Sequence, residues 1–328
     1  MLLETPRPAE QNPLTLRDVT TPTPSPGEVR VRVNCCGVCH TDLHTVEGDL
    51  DLPKLPIIPG HQVVGIVDAI GPGVIGVREA DRVGIPWLHW TCGECVYCRS
   101  GRENLCDRVQ FTGLNADGGY AEYAIANTAF CCALPTSFAD VQAAPLLCAG
   151  IIGYRSLRLS GAKRGDILGL YGFGASAHIT LQVARHLGCD LIVYTRSEPH
   201  RELARRLGAA WAGDAKQAGP GTLDAAIIFA PAGALVHEAL RALRKGGTCT
   251  LAGITMSDIP QLSYALIYGE RVLRSVANAT RQDAREFLDI AAAVPVQTTV
   301  QEYPLDQANV ALVALKHSRF EGAAVLRI

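Results

Sequence analysis

The chain contains no long run of like charges, and its formal net charge is only −2. That excludes the basic footprint of a nucleic-acid-binding protein. No apolar stretch approaches the roughly 18–20 residues that a membrane-spanning helix needs, so no membrane partner is expected. Residues 1–10 carry an acid and prolines where a secretory leader would need a basic and then an apolar start. A soluble, cytoplasmic protein is the expectation. Internal repeats are also missing.

What is present points elsewhere. Apolar residues make up 48% of the chain against 19% charged, enough for a large core. At 328 residues the length exceeds that of a usual single domain, and two domains are expected. Twelve cysteines in a chain this long, clustered and without a leader, point to metal before disulfides.

The first part of the chain reads as β-rich. Residues 27–33 alternate polar and apolar side chains, the period of a half-buried strand, and a triplet of prolines (Pro22, Pro24, Pro26) lies in a loop before it. Residues 61–70 form a second strand candidate, stopped by Gly71-Pro72-Gly73; 81–85 and 120–126 are others. From about Pro145 strand and helix patterns alternate. Strands are expected at 166–171, 190–195, 225–229 and 248–252, with helices at 175–187, 200–207 and 235–243. That rhythm with short connections is a doubly wound parallel sheet. A helix starts near Arg281, and the tail from 299 to 328 reads as α+β that returns to the first domain.

Cys92, Cys95, Cys98 and Cys106 are spaced so that short turns aim four thiolates at one centre. Four thiolates close a tetrahedral site, which is structural zinc; a disulfide pair or an iron–sulfur site are the rivals. Cys39, His61 and Cys148 lie far from that lobe in sequence, and a Cys2His set is one that keeps a fourth position on zinc open for chemistry. Cys39 opens the densest stretch of the chain, Cys39-His40-Thr41-Asp42-Leu43-His44. Taken singly, Cys148 beside Leu146-Leu147 would read as core.

Gly172-Phe173-Gly174-Ala175-Ser176-Ala177 sits at the strand-to-helix junction after residue 171. Gly172, Gly174 and Ala177 give the turn that lets a pyrophosphate approach the N–H groups of a helix N-terminus. An NAD site expects an acid about 20 residues on. Here Thr195-Arg196-Ser197 occupies that place, where Arg196 suits a 2′-phosphate and the flanking hydroxyls add donors. This leans to NADP over NAD, with Glu198 one residue beyond still able to meet a ribose.

Together, Gly37-Val38-Cys39-His40-Thr41-Asp42, Pro59-Gly60-His61, the four-cysteine lobe, Leu147-Cys148-Ala149-Gly150 and the glycine-rich turn, in this order, resemble the zinc-containing alcohol dehydrogenases of the medium-chain dehydrogenase/reductase family. The resemblance covers nearly the whole chain. It implies an α/β protein with a GroES-like, β-rich catalytic domain (1–145 and 281–328) and a Rossmann domain (146–280). It implies two zinc ions, one catalytic on Cys39, His61 and Cys148 and one structural on Cys92, Cys95, Cys98 and Cys106. It gives Thr41 the substrate oxygen, His44 the proton's exit, Asp42 the orientation of His61, His40 the cofactor pyrophosphate and Trp87 the substrate cleft. The expected reaction is reversible hydride transfer between a primary or secondary alcohol and NAD(P). A zinc-independent quinone or enone reductase and a non-catalytic dinucleotide sensor are the alternatives. A homodimer or homotetramer is implied, with residues 272–277 as the candidate pairing strand.

Four positions depart from the family pattern. Gln62 stands where glutamate often follows the zinc histidine, and Ala323 where arginine often follows Gly322. Ile152 replaces a small hydroxyl or β-branched residue near the nicotinamide, giving an apolar backing, and Ala80 replaces a glycine, a change expected to matter little. Cys35, Cys36, Cys131, Cys132, Cys189 and Cys249 are left over and read as buried hydrophobes.

Overall fold

A computed structural model describes residues 1–294 and 296–328. The chain divides into two compact units, one of Met1–Cys148, Ala279–Ala292 and Gln297–Ile328, the other of Ala149–Asn278 and Ala293–Val296. The first break falls after Cys148 and not after residue 145, because the Ala144–Leu147 turn is wholly buried and Leu147 packs on Gly84 of the first unit. Among the described residues no helix is long and apolar enough to cross a membrane.

The first unit is built on a seven-stranded sheet in the order Val300–Pro304, Ala323–Arg327, Glu28–Val38, Val63–Ile70, Arg82–Ile85, Cys132–Ala133, with Tyr123–Asn127 also paired to Glu28–Val38. Val29, Val31 and Val33 point into the core with Val63, Val67, Val83, Leu312 and Leu326. The first long strand runs to Val38, beyond the residue 33 that alternation suggests. A register shift between Val33 and Cys35 breaks the period, and from Cys35 both faces are covered. Two-sided burial suits small residues and erases the polar half of the pattern. The last strand pairs antiparallel with this stretch, Val325 opposite Gly37 and Leu326 opposite Cys36.

The second unit holds a six-stranded, all-parallel sheet ordered Trp211–Gly213, Asp190–Tyr194, Ile167–Tyr171, Leu223–Ile228, Leu243–Leu251, Val272–Ser275. Counted along the chain this is the order 3-2-1-4-5-6 of a dinucleotide-binding sheet, whose switch point lies beside the first strand. The three-residue strand Trp211–Gly213 was not anticipated; Trp-Ala-Gly is too short to show a period. Of the leftover cysteines, five are buried as expected and Cys131 is only half-buried.

Candidate active site

Cys39 follows the end of the Glu28–Val38 strand and caps the helix His40–Glu47. Asp42, in the helix's first turn, uses one oxygen as the cap: Oδ2 accepts the Cys39 N–H at 2.9 Å. Its other oxygen, Oδ1, accepts the Gly60 N–H at 3.1 Å and lies 2.9 Å from His61 Nδ1. A carboxylate only accepts, so Nδ1 carries the hydrogen and Nε2 keeps its lone pair. One short side chain thereby fixes both a helix start and an imidazole tautomer.

His61 Nε2 is fully buried and has no hydrogen-bond partner. The Sγ atoms of Cys39 and Cys148 are 3.9 Å apart, and these three ligand atoms all lie within 4.8 Å of one another. An orphaned nitrogen lone pair between two thiols is a donor set for a soft cation, and Cys2His with a fourth position unfilled by protein fits a catalytic zinc. Burial alone would drive the His61 imidazole down, but the Asp42 carboxylate and the Cys39 sulfur more than reverse this and push it up to about 10. The bond from Cys148, with help from His61, holds the Cys39 thiol well below its ordinary range, while Cys148 itself is pushed up. The site asks for positive charge at Nε2.

Thr41 is buried with its hydroxyl 3.8 Å from Cys39 Sγ. His44, one turn on and half-buried, has Nδ1 2.8 Å from Asp49 Oδ2. His40, first residue of the helix, is exposed. Trp87 meets the His61 ring edge-on, centroids 4.8 Å apart. On its own face Trp87 is stacked against Phe111 at 4.7 Å, the planes 10° apart. Sequence reading missed Phe111, which sits on the two-residue strand Gln110–Phe111 paired with Leu88–Trp90 and leaves no periodic signal.

The second cysteine cluster is also assembled in the first unit. The four Sγ atoms of Cys92, Cys95, Cys98 and Cys106 lie within 4.8 Å of one another. Separations of 3.5–3.9 Å between neighbouring sulfurs rule out the disulfide rival, whose S–S bond is about 2.05 Å. Backbone N–H groups point at the sulfurs from Cys95, Cys98, Cys92 and Arg108 at 3.4–3.5 Å. Backbone donors from Glu94 and Cys95 hold the Cys92 thiol down to about 6, whereas burial pushes the Cys98 thiol up to about 11.

In the second unit, Gly172 has φ +86°, and a Cβ there would meet Ala230 N at 2.9 Å. Gly174 precedes the helix Ala175–His186, and nothing lies within 4 Å of where its Cβ would stand. Ala177 is fully buried. The turn is thus tight, open above and closed below, as a pyrophosphate requires. Ser197 caps the helix Glu198–Arg206. Glu198 is clamped by Arg201 at 3.0 Å and Arg205 at 3.2 Å, whereas Arg196 is exposed and engaged by no described ion pair or hydrogen bond. Of the departures, Gln62 is buried with its side chain folded across Gly37. Ala323 is buried at the start of its strand. Ala80 has φ +70°, a left-handed backbone, so its substitution for glycine carries a cost that the sequence reading discounted.

Comparison with known proteins agrees with this architecture. Residues 25–136 match the alcohol dehydrogenase GroES-like domain, and residues 177–293 match the zinc-binding dehydrogenase domain. The chain is 50% identical to "Probable alcohol dehydrogenase AdhA" of Mycobacterium tuberculosis (strain CDC 1551 / Oshkosh), over 98% of this chain and 95% of the relative. It is 37% identical to an alcohol dehydrogenase of Geobacillus stearothermophilus, over 97% of each. The cinnamyl alcohol dehydrogenase SbCAD4 of Sorghum bicolor superposes with a TM-score of 0.91 at 27% identity, covering 99% of this chain and 97% of that one. The chain belongs to the zinc-type alcohol dehydrogenases of the medium-chain dehydrogenase/reductase family, with a GroES-like and a Rossmann domain. Zinc and a nicotinamide dinucleotide are the cofactors that go with that membership.

Proposed function

We propose that this chain interconverts an alcohol and its carbonyl compound by hydride transfer with NAD(P), holding one catalytic and one structural zinc ion. The observation that carries the reading is the buried, unpartnered lone pair of His61 Nε2 between the sulfurs of Cys39 and Cys148, with Asp42 behind it. When bound, zinc supplies Lewis acidity toward the substrate oxygen and the nicotinamide supplies or takes the hydride. Cys39, His61 and Cys148 hold the ion, and Asp42 keeps the His61 ring aimed by fixing its tautomer. The Thr41 hydroxyl would take up the alcohol proton while releasing its own in the direction of His44. His44, whose Nδ1–H is engaged by Asp49, has Nε2 as the basic nitrogen that passes this proton on. Trp87, wedged between His61 and Phe111, forms an aromatic wall that favours apolar alcohols.

On the cofactor side, Gly172, Gly174 and Ala177 seat the pyrophosphate. The exposed, unengaged Arg196 together with the clamped Glu198 supports NADP over NAD. Thr195 and Ser197 flank the 2′-phosphate. The strand Val272–Ser275 is an open sheet edge, and Tyr264 and Tyr268 beside it are 71% and 68% exposed. An unpaired strand edge with an exposed Val272 is a pairing surface, which supports a homo-oligomer of cytoplasmic chains joined there.

Metal analysis with steady-state assays tests the reading. The purified protein is expected to hold two zinc ions per chain, and His61→Ala or Cys39→Ser to hold one and to lose alcohol oxidation. Full activity in either one-zinc variant sinks the mechanism. Rates with NADPH should exceed those with NADH, and Arg196→Ala should reverse that order.

A further inference from the structure

Tyr120 has no role in the reaction described so far, yet it is among the largest fully buried side chains, and its Oη has no hydrogen-bond partner. A buried hydroxyl left unpaired costs about 1–3 kcal/mol, so its presence where phenylalanine would fit calls for a reason. The backbone locks it against the histidine loop. Gly118 N donates to Ile58 O at 2.7 Å, Gly119 N to Gly60 O at 2.9 Å and Tyr120 N to Pro59 O at 3.0 Å. The ring then lies on Gly60, where φ is +100° and a Cβ would come within 2.4 Å of Tyr120 Cδ1. Gly60 is also the residue whose N–H is bonded to Asp42 Oδ1, the oxygen that holds His61.

The donor and acceptor counts meet at Asp42. An ionised carboxylate offers about four lone-pair sites. Three are taken, by Cys39 N–H, Gly60 N–H and His61 Nδ1–H. One acceptor site of Asp42 remains, and the Tyr120 hydroxyl, close enough to feel the Asp42 charge, is an unpaired donor. Burial, and after it the Asp42 charge, raises the phenol far above its ordinary range, so it stays protonated and able to donate.

We propose that Tyr120 is a positioning residue for the Cys39–His61–Cys148 centre: its hydroxyl, unpaired as the ring stands, is the donor that turns to the last acceptor site of Asp42, keeps that carboxylate aimed at His61, and so slows loss of the metal. The inference rests on the reading that this centre holds zinc. Tyr120 touches neither substrate nor cofactor; it acts through Asp42 on ligand retention.

The test is the release of zinc from the full two-zinc protein to a chromophoric chelator such as 4-(2-pyridylazo)resorcinol. In Tyr120→Phe one of the two ions is expected to leave about 2–10-fold faster, the effect of one hydrogen bond lost from the carboxylate behind His61, while the four-cysteine ion leaves at the wild-type rate. In an Asp42→Asn background the same change should add nothing, because the acceptor it serves is already altered. Equal release from wild type and Tyr120→Phe overturns the proposal. So does an acceleration that persists in full in the Asp42→Asn background, which would assign the effect to ring packing. Should Tyr120→Phe not fold, 3-fluorotyrosine incorporated at position 120 keeps the hydroxyl and makes it a stronger donor. Slower release is then expected, and equal or faster release overturns the idea. A wild-type protein that holds only the four-cysteine ion defeats the metal-centre reading itself, and this proposal with it.

Discussion

Ala80 closes a turn in which Arg78 N donates to Asp81 Oδ2 at 2.7 Å and Ala80 N to Val67 O at 2.9 Å, so its left-handed backbone is fixed by both neighbours. A side chain in that conformation costs roughly 1–2 kcal/mol, part of which glycine gives back as chain entropy in the unfolded state. Ala80→Gly is expected to stabilise the protein by up to about 1 kcal/mol, read as a higher urea midpoint with an unchanged slope. The sequence marks the position as unusual but cannot show the sign of φ. His178 is a different case, silent in the sequence. It is fully buried, its Nδ1 is 3.3 Å from Gly174 O and its Nε2 has no partner. Burial, only partly offset by the Gly174 and Ala175 backbone and deepened by His200, drives it down from 6.5 to about 4. The unfolded chain therefore binds the proton first as pH falls. Stability from this group is intact above pH 6.5 and drains away between 6.5 and 4, by roughly 3 kcal/mol in all. Thermal unfolding of His178→Leu from pH 7 to 4 should lose that limb of the acid dependence; an identical pH slope would refute the assignment.

Between elements, the contact with the most at stake joins the four-cysteine lobe to the helix Arg281–Ala293. Glu103 Oε1 accepts the Arg281 backbone N–H at 2.8 Å, capping the helix, and the two carboxylate oxygens take the guanidinium through Nε at 3.0 Å and Nη2 at 2.6 Å. The guanidinium carbon also stands 4.5 Å from the centre of the Phe130 ring. Glu103→Gln keeps the cap and weakens the fork, an expected loss of about 1–2 kcal/mol. Arg281→Ala strands a mostly buried carboxylate and should cost about 3 kcal/mol, both by equilibrium denaturation. Nothing local announces this pair, since its partners are 178 residues apart. That the four cysteines come together was legible because they fall within one short lobe, and the Cys39–His44 stretch drew notice because its order of chemical types is specific. Phe111 was not legible, because what makes it matter is the ring stacked on it.

At the scale of the whole chain, the alternation of strand and helix from residue 167 to residue 275 carried the parallel sheet into view, since its central strands Ile167–Tyr171 and Leu223–Ile228 are buried on both faces and read as nearly unbroken apolar runs. The other sheet was only partly readable. Its strands are short, bulged, or drawn from both ends of the sequence, and no local pattern reports a partner hundreds of residues away. That last property bears on how the protein is made. The strand Ala323–Arg327 lies between Val300–Pro304 and Glu28–Val38, alongside the residues that lead to Cys39. A ribosome delivers the complete parallel sheet by residue 275, whereas the sheet that carries Cys39 stays open on one side until residue 327 has emerged. Domains commonly mature in the order of their synthesis; here the later-made unit is finished first. Stalled nascent chains ending at residue 322 should therefore resist protease over residues 149–278 and be cut within residues 1–148. On the proposed reading, loading of an ion at Cys39 belongs among the last events in the life of the nascent chain, after release, when the cell's supply of free zinc and not the ribosome sets the pace.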